Sequence, residues 1–151
     1  MANNFFPKMR ISSCRIHIVD WQNDASSLRA VREAVFIHEQ HVPKELEWDE
    51  FDPVSTHVLA INSIGEPIGA ARLLQDGHIG RMAVLKAWRG QGIGCAMLQR
   101  LLDESRQRKI TEVMLNAQVT ATAFYAKFGF QKIGDEFMEA GIPHVCMFLK
   151  L

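Results

Sequence analysis

Near the N-terminus, Ile16 and Ile18 alternate with Arg15 and His17, the period-two pattern of a half-buried strand. The period then lengthens. Leu28, Val31, Ala34 and Val35 fall at i, i+3, i+6 and i+7, one face of a helix that Asp24 and Ser26 can cap and that should end near His38. Pro43 and Pro53 then oppose a continuous helix, so residues 39–56 are expected to form a loop with one helical turn. Three β-like runs follow: His57–Ile61, Pro67–Leu74 and His78–Val84. Residues 62–66 suit a hairpin loop between the first two, and Asp76-Gly77 suits the tight turn before the third. The chain next runs through Arg89-Gly90-Gln91-Gly92-Ile93-Gly94 into a helix with Met97, Leu98, Leu101 and Leu102 on one face. A strand over Thr111–Ala117, a short helix over Thr120–Lys127 and strands over Gly129–Ile133 and His144–Leu149 complete the pattern.

The order β-α-β-β-β-α-β-α-β-β describes an α/β fold with a mixed sheet, in which the strands flanking the glycine-rich helix should be parallel. The pattern contains no repeat or linker, and 151 residues suit a single domain spanning 1–151. Lys plus Arg number 17 and Asp plus Glu 17, so the usual electrostatic warrant for nucleic-acid binding is missing. No apolar run is long enough to span a membrane, and residues 1–14 lack the continuous apolar stretch of a secretory leader, so a cytoplasmic protein is expected. Cys14, Cys95 and Cys146 are widely spaced and form no CxxC pair, which argues for reduced thiols.

A strand that ends in a glycine-rich turn and feeds a helix offers free backbone N–H groups at the positive end of a helix dipole, a site for phosphate. A P-loop would need Gly-Lys-Ser/Thr, where this chain has Gly94-Cys95-Ala96. A dinucleotide fold would need GxGxxG in an early βαβ unit followed by an acidic strand end, where this chain has GxGxG and Asn116-Ala117-Gln118. A glycine-rich helix start without a ligand remains the bland alternative.

The segment from Arg81 to Gly94, with Arg89-Gly90-Gln91-Gly92-Ile93-Gly94 at its end, resembles the acyl-CoA signature of the GNAT superfamily of N-acyltransferases. Ala121, Phe124-Tyr125 and Gly129-Phe130 resemble that superfamily's second signature. Arg32, Val35-Phe36, Glu39-Gln40, Pro43, Glu47, Asp49, Asp52, Ala117-Gln118 and Gly141-Ile142-Pro143-His144 are similar to its ElaA-like branch, so the resemblance covers about residues 15–150. It implies a GNAT-like fold, a mixed sheet of about six to seven strands flanked by helices, with acetyl-CoA in a cleft where two parallel strands splay apart. The pyrophosphate would lie on the N–H groups of Arg89, Gly90, Gln91, Gly92, Ile93 and Gly94, with the pantetheine on the backbone of Met82, Ala83 and Val84. Gln118 and Phe124 would also hold the cofactor. Gln118 departs from the Asn that the superfamily often carries there.

The resemblance further implies an N-acetyltransferase acting on a primary amine of a small molecule or peptide, with no metal and with a homodimer as one assembly. A non-catalytic acyl-CoA-binding module is the alternative. An amine with a pKa near ~10.4 must lose a proton before it attacks, and a leaving thiolate of pKa near ~8.5 benefits from gaining one. Tyr125, the only tyrosine, is the candidate acid. Glu39, Glu47, Asp49, His78 and His144 are candidate bases, with a water chain as the substitute, and Glu39, Gln40, Glu47 and His144 are the candidate acceptor-binding residues. Cys95 as a covalent nucleophile and a His38/His41 metal pair are the weaker readings. Residues 39–52 carry six acids and one Lys, and the bland account of most of them is a solvated surface run. The region from Arg81 to Lys109 carries seven cations and two acids, so the zero net charge hides an acidic segment and a basic one.

Overall fold

A computed structural model of the chain describes residues 14–151, so the leader reading of residues 1–13 falls outside the described residues. Strands β1 (Cys14–Val19), β2 (Thr56–Asn62), β3 (Pro67–Leu73), β4 (His78–Val84), β5 (Glu112–Gln118), β6 (Gln131–Glu139) and β7 (Ile142–Lys150) form one seven-stranded sheet in the order β1-β2-β3-β4-β5-β7-β6. Every pairing is antiparallel except β4 with β5. That parallel pairing covers only His78↔Met114 and Ile79↔Leu115, after which the two strands diverge. The mixed sheet and the splayed pair expected from the sequence are therefore present.

Alternation along β2 sends Val58 and Ala60 to one face and Leu59 to the other. On the first face lies α3 (Ile93–Gln107), whose Met97, Leu98, Leu101 and Leu102 are buried at about 1.5–3 kcal/mol each. Gly69 of β3 is where this helix approaches most closely, since a Cβ there would stand 3.0 Å from Met97 Sδ. On the second face lies α1 (Trp21–Arg32), continued without a break by a π-helical segment, Glu33–Glu39. Leu28, Val31, Val35 and Phe36 pack there on Leu59, Ala70 and Ala83.

Three sequence expectations need correction. The first helix starts earlier than Asp24 and Ser26 suggest, because Asp20 caps it by accepting from the Asn23 N–H at 2.8 Å. Asp24, with φ −123° and ψ 15°, is a non-helical kink, and regular helix resumes only after it, close to the start read from the sequence. The last two strands are longer than read and form a hairpin through Ala140 (φ 51°) and Gly141 (φ 78°), a pair of left-handed residues that matches strand twist. The acidic stretch is solvated only in part: Glu39, Glu45 and Glu50 are exposed, but Glu47 and Asp52 are not. It contains one helical turn, α2 (Lys44–Glu47), and a 3₁₀ turn, Asp52–Val54, and it folds inward so that Glu47 and Asp52 are buried. A short helix, α4 (Thr122–Ala126), follows β5.

Candidate active site

The divergence of β4 from β5 has a local cause. Ala70 pairs with Ala83 and Arg72 with Gly80, so one residue of β3, Ala71, faces two of β4, Arg81 and Met82, a bulge that includes Arg81 at φ 50°. The bulge bends β4 away and opens a cavity of about 690 Å³ between the strand ends. Its wall includes Gln40, Glu47, Asp49, His78, Arg81, Met82, Gln118, Tyr125 and His144, which brings together most of the acid, base and acceptor candidates. Ala83, Val84, Phe124, Glu39 and residues 89–94 are not in this wall.

The glycine-rich turn has the geometry that an anion site needs. Gly90 (φ 78°) and Gly92 (φ 84°) take left-handed conformations that the turn requires, and no side chain caps the start of α3 at Gly92. Arg89 stands at this turn with its charge already met. Its Nη1 and Nη2 each donate to the Glu39 carboxylate at 2.7 Å, while Nε donates to the Val84 carbonyl at 2.9 Å. The hydrogen bond from Arg89 holds Glu39 below the usual carboxylate range, and the same contact raises Arg89.

Tyr125 is packed edge-on to Phe124, ring centroids 5.0 Å apart, and to Phe130 at 5.9 Å. Its hydroxyl finds only a weak acceptor, Met82 Sδ at 3.8 Å, and burial pushes its pKa up to about 12. His144 is buried and stacked on Phe137 at 6.0 Å. Its Nδ1 lies 2.6 Å from the Ile142 carbonyl, and a carbonyl can only accept, so the proton sits on Nδ1. Nε2 lies 3.5 Å from Glu139 Oε2. Asn116 Nδ2 donates to the other Glu139 oxygen at 3.4 Å. Gln118 pairs with His144 in the β5–β7 register and donates to Gln40 Oε1 at 2.8 Å.

Glu47, Asp49 and Asp52 sit among three arginines. Arg32 donates from Nε to Glu47 Oε1 and from Nη1 to Asp52 Oδ1, both at 2.7 Å. Arg72 donates to Asp49 Oδ1 at 2.7 Å and to Asp52 Oδ1 at 3.0 Å. Arg81 donates to the Leu46 and Glu47 carbonyls and to Asp49 Oδ2, each at 3.2 Å. Burial works against the Asp52 carboxylate, yet the Arg32 hydrogen bond and charge, with the Asp49 N–H and Arg72, hold it below the ordinary range. At Glu47 burial wins over Arg32 and Arg81, and its pKa is raised. Neither carboxylate is a free base.

The structure separates Cys95 from this chemistry. It lies in a shallow groove with Ile16 and Phe128, and burial pushes its thiol up, the opposite of what an activated nucleophile needs. His38 is near Glu33 at 3.7 Å, and among the described residues no group of three or more His, Cys, Asp or Glu could hold a metal. No helix of the described residues is long and apolar enough to cross a membrane. Sequence reasoning missed Glu139 and Asn116, which lie on strands and carry no motif. It also gave Arg81 no separate role, since an arginine in the middle of the His78–Val84 run carries no sequence mark of a bulge.

Residues 22–151 match the family model described as an acetyltransferase (GNAT) domain. The uncharacterized N-acetyltransferase YjcF of Bacillus subtilis is 38% identical over 121 residues, covering 78% of this chain and 86% of the relative. ElaA of Escherichia coli is 29% identical over 147 residues, covering 86% and 95%. The crystal structure of an acyl-CoA N-acyltransferase from Pseudomonas aeruginosa superposes with a TM-score of 0.80 at 30% identity, covering 90% of this chain and 99% of that one. ElaA's own crystal structure gives a TM-score of 0.80 at 27% identity, covering 89% and 98%. The splayed sheet, the uncapped glycine-rich helix start and these relatives together place the chain in the GNAT acetyltransferase family, ElaA-like within it, and make it an acyltransferase.

Proposed function

We propose that the protein transfers an acetyl group from acetyl-CoA to a primary amine of a small molecule or peptide, by direct attack in a ternary complex. The observation that carries this reading is one cavity lined by the Tyr125 phenol, which keeps its proton, and the His144 imidazole, at the open end of the β4/β5 split. Acetyl-CoA supplies the activated acetyl thioester. The turn from Arg89 to Gly94 would hold its pyrophosphate on backbone N–H groups, and the backbone from Met82 to Val84 would hold its amide-bearing arm. The Val84 carbonyl is taken by Arg89, so that residue would contribute its N–H alone.

His144 Nε2 accepts the proton that the amine must lose, and Glu139 faces the imidazolium so formed. Tyr125 keeps its proton through neutral pH and gives it to the departing sulfur. Aromatic packing fixes the ring, so the donor is oriented before reaction. No covalent acyl-enzyme is needed, consistent with the raised Cys95 thiol.

The test is thiol release from acetyl-CoA with a panel of primary amines, beside calorimetric titration of CoA. Tyr125→Phe should lower kcat by about 10²–10⁴-fold while CoA binds as before. His144→Gln should lower kcat on the amine while CoA binds as before. Tight CoA binding without turnover on any amine would identify a binding module instead, and absence of CoA binding would overturn both readings.

A further inference from the structure

Glu39 and Gln40 are consecutive residues at the end of the π-helical segment, and each reaches a different arm of the split. Glu39 holds Arg89 in a two-point ion pair, and Arg89 Nε donates to the carbonyl of Val84, the last residue of β4. Gln40 holds Gln118, the last residue of β5, at 2.8 Å. The register pairs of the two strands stop at Ile79 and Leu115, so these side chains bridge the end where the sheet itself does not.

The segment carrying them is rigidly placed. The Gln40 N–H donates to the Val35 carbonyl at 3.0 Å and the Val42 N–H to the Phe36 carbonyl at 2.8 Å, wide turns that end the helix. Val35, Phe36 and Val42 are buried in the same apolar cluster as Ala83 of β4. Neighbouring positions on a helix point about 100° apart, which lets one helix end serve two strands. The Glu39–Arg89 pair is partly exposed, with side-chain exposures of 37% and 40%, and such a pair adds little to stability by itself. Its two-point geometry fixes position instead.

We propose that Glu39 and Gln40 form a clamp that sets the width of the β4/β5 split, making them positioning residues for the acyl-CoA donor rather than contacts to the acceptor. This rests on the reading that the donor's arm enters the split. Glu39 also offsets the charge of Arg89, which leaves pyrophosphate binding to the backbone N–H groups of the turn. A preset gap spares the donor the cost of ordering two strand ends.

The experiment titrates CoA calorimetrically into the full chain and into Glu39→Gln, Gln40→Ala, Arg89→Lys and the Glu39→Gln/Arg89→Lys pair, with thermal melts confirming that each is folded. Each single variant is expected to weaken CoA roughly three- to tenfold, and the pair no more than Arg89→Lys alone, because the Glu39 contact is already lost in that variant along with the bond to Val84. Gln40→Ala is the decisive arm, since it leaves Arg89 and the glycine-rich turn untouched. Wild-type affinity in Gln40→Ala overturns the clamp, and so does tighter binding in Glu39→Gln, which would mark Glu39 as a competitor for Arg89. Failure of the wild type to bind CoA would instead sink the donor reading on which the clamp stands.

Discussion

Tyr125 is the only tyrosine in 151 residues, so the tyrosinate band of the near-ultraviolet spectrum reports on one cavity group alone. Burial moves its pKa from the usual 10 to about 12, because the charged phenolate would lose water and could no longer donate to Met82 Sδ as the hydroxyl does. Two pKa units correspond to roughly 3 kcal/mol of preference for the neutral form in the folded chain. The unfolded tyrosine releases its proton first as pH rises. The folded state therefore holds its full stability below pH ~10 and loses roughly 3 kcal/mol between pH ~10 and ~12.

The assay follows tyrosinate absorbance against pH, with circular dichroism on the same samples, then repeats the titration in denaturant. In the native protein the band should stay silent through pH ~10 and rise only near ~12 or with unfolding, while in denaturant its midpoint should fall to ~10. Tyr125→Phe should abolish the band and remove the loss of stability over that interval. A midpoint near ~10 with native dichroism would refute the reasoning, since it would mean a hydrated hydroxyl with no special retention of its proton.

The buried ion cluster makes a second prediction. Asp52→Asn removes one carboxylate from between Arg32 and Arg72 and should cost about 3–5 kcal/mol in urea unfolding, because two buried guanidiniums lose a counter-charge; a loss below about 1 kcal/mol would contradict the burial argument. Asp52 has a depressed pKa, so its contribution is present above the ordinary aspartate value of ~3.9 and fades as pH falls below it, a slope that Asp52→Asn should flatten. Gly92→Ala places a Cβ at φ 84° and should lower stability by about 1–2 kcal/mol in the same assay.

Much of the fold was legible because periodicity and turn chemistry agreed. The runs through Val58 and Ala71 are apolar enough for inner strands, Asp76-Gly77 made its turn with Gly77 at φ 94°, and the α3 stripe was buried as read. The β6–β7 hairpin was partly hidden. Gly134 interrupts its pattern, and every residue of β6 is exposed, so no apolar alternation marks the strand. In the site, Tyr125, Gln118 and His144 could be named from motifs, but their meeting depends on the β5–β7 register, which spacing along the chain does not encode.

The acidic stretch shows why composition misled most. Six acids within fourteen residues read as surface, because a buried carboxylate requires partners, and while Arg32 lies on the helix just before the stretch, Arg72 and Arg81 lie on strands far along the chain. Replacing such a cluster with apolar side chains is often neutral or stabilising, so stability alone does not explain it. Its satisfaction is incomplete as well, since Arg72 Nε is buried without a hydrogen-bond partner. What the arginines do that apolar side chains could not is donate to backbone. Arg32 and Arg81 both donate to the Glu47 carbonyl, and Arg81 also donates to that of Leu46, fastening the α2 turn to the bulge in β4. The same residue that bends β4 open thus ties down the opposite wall of the cavity, and the shape of the site follows from one arginine serving both.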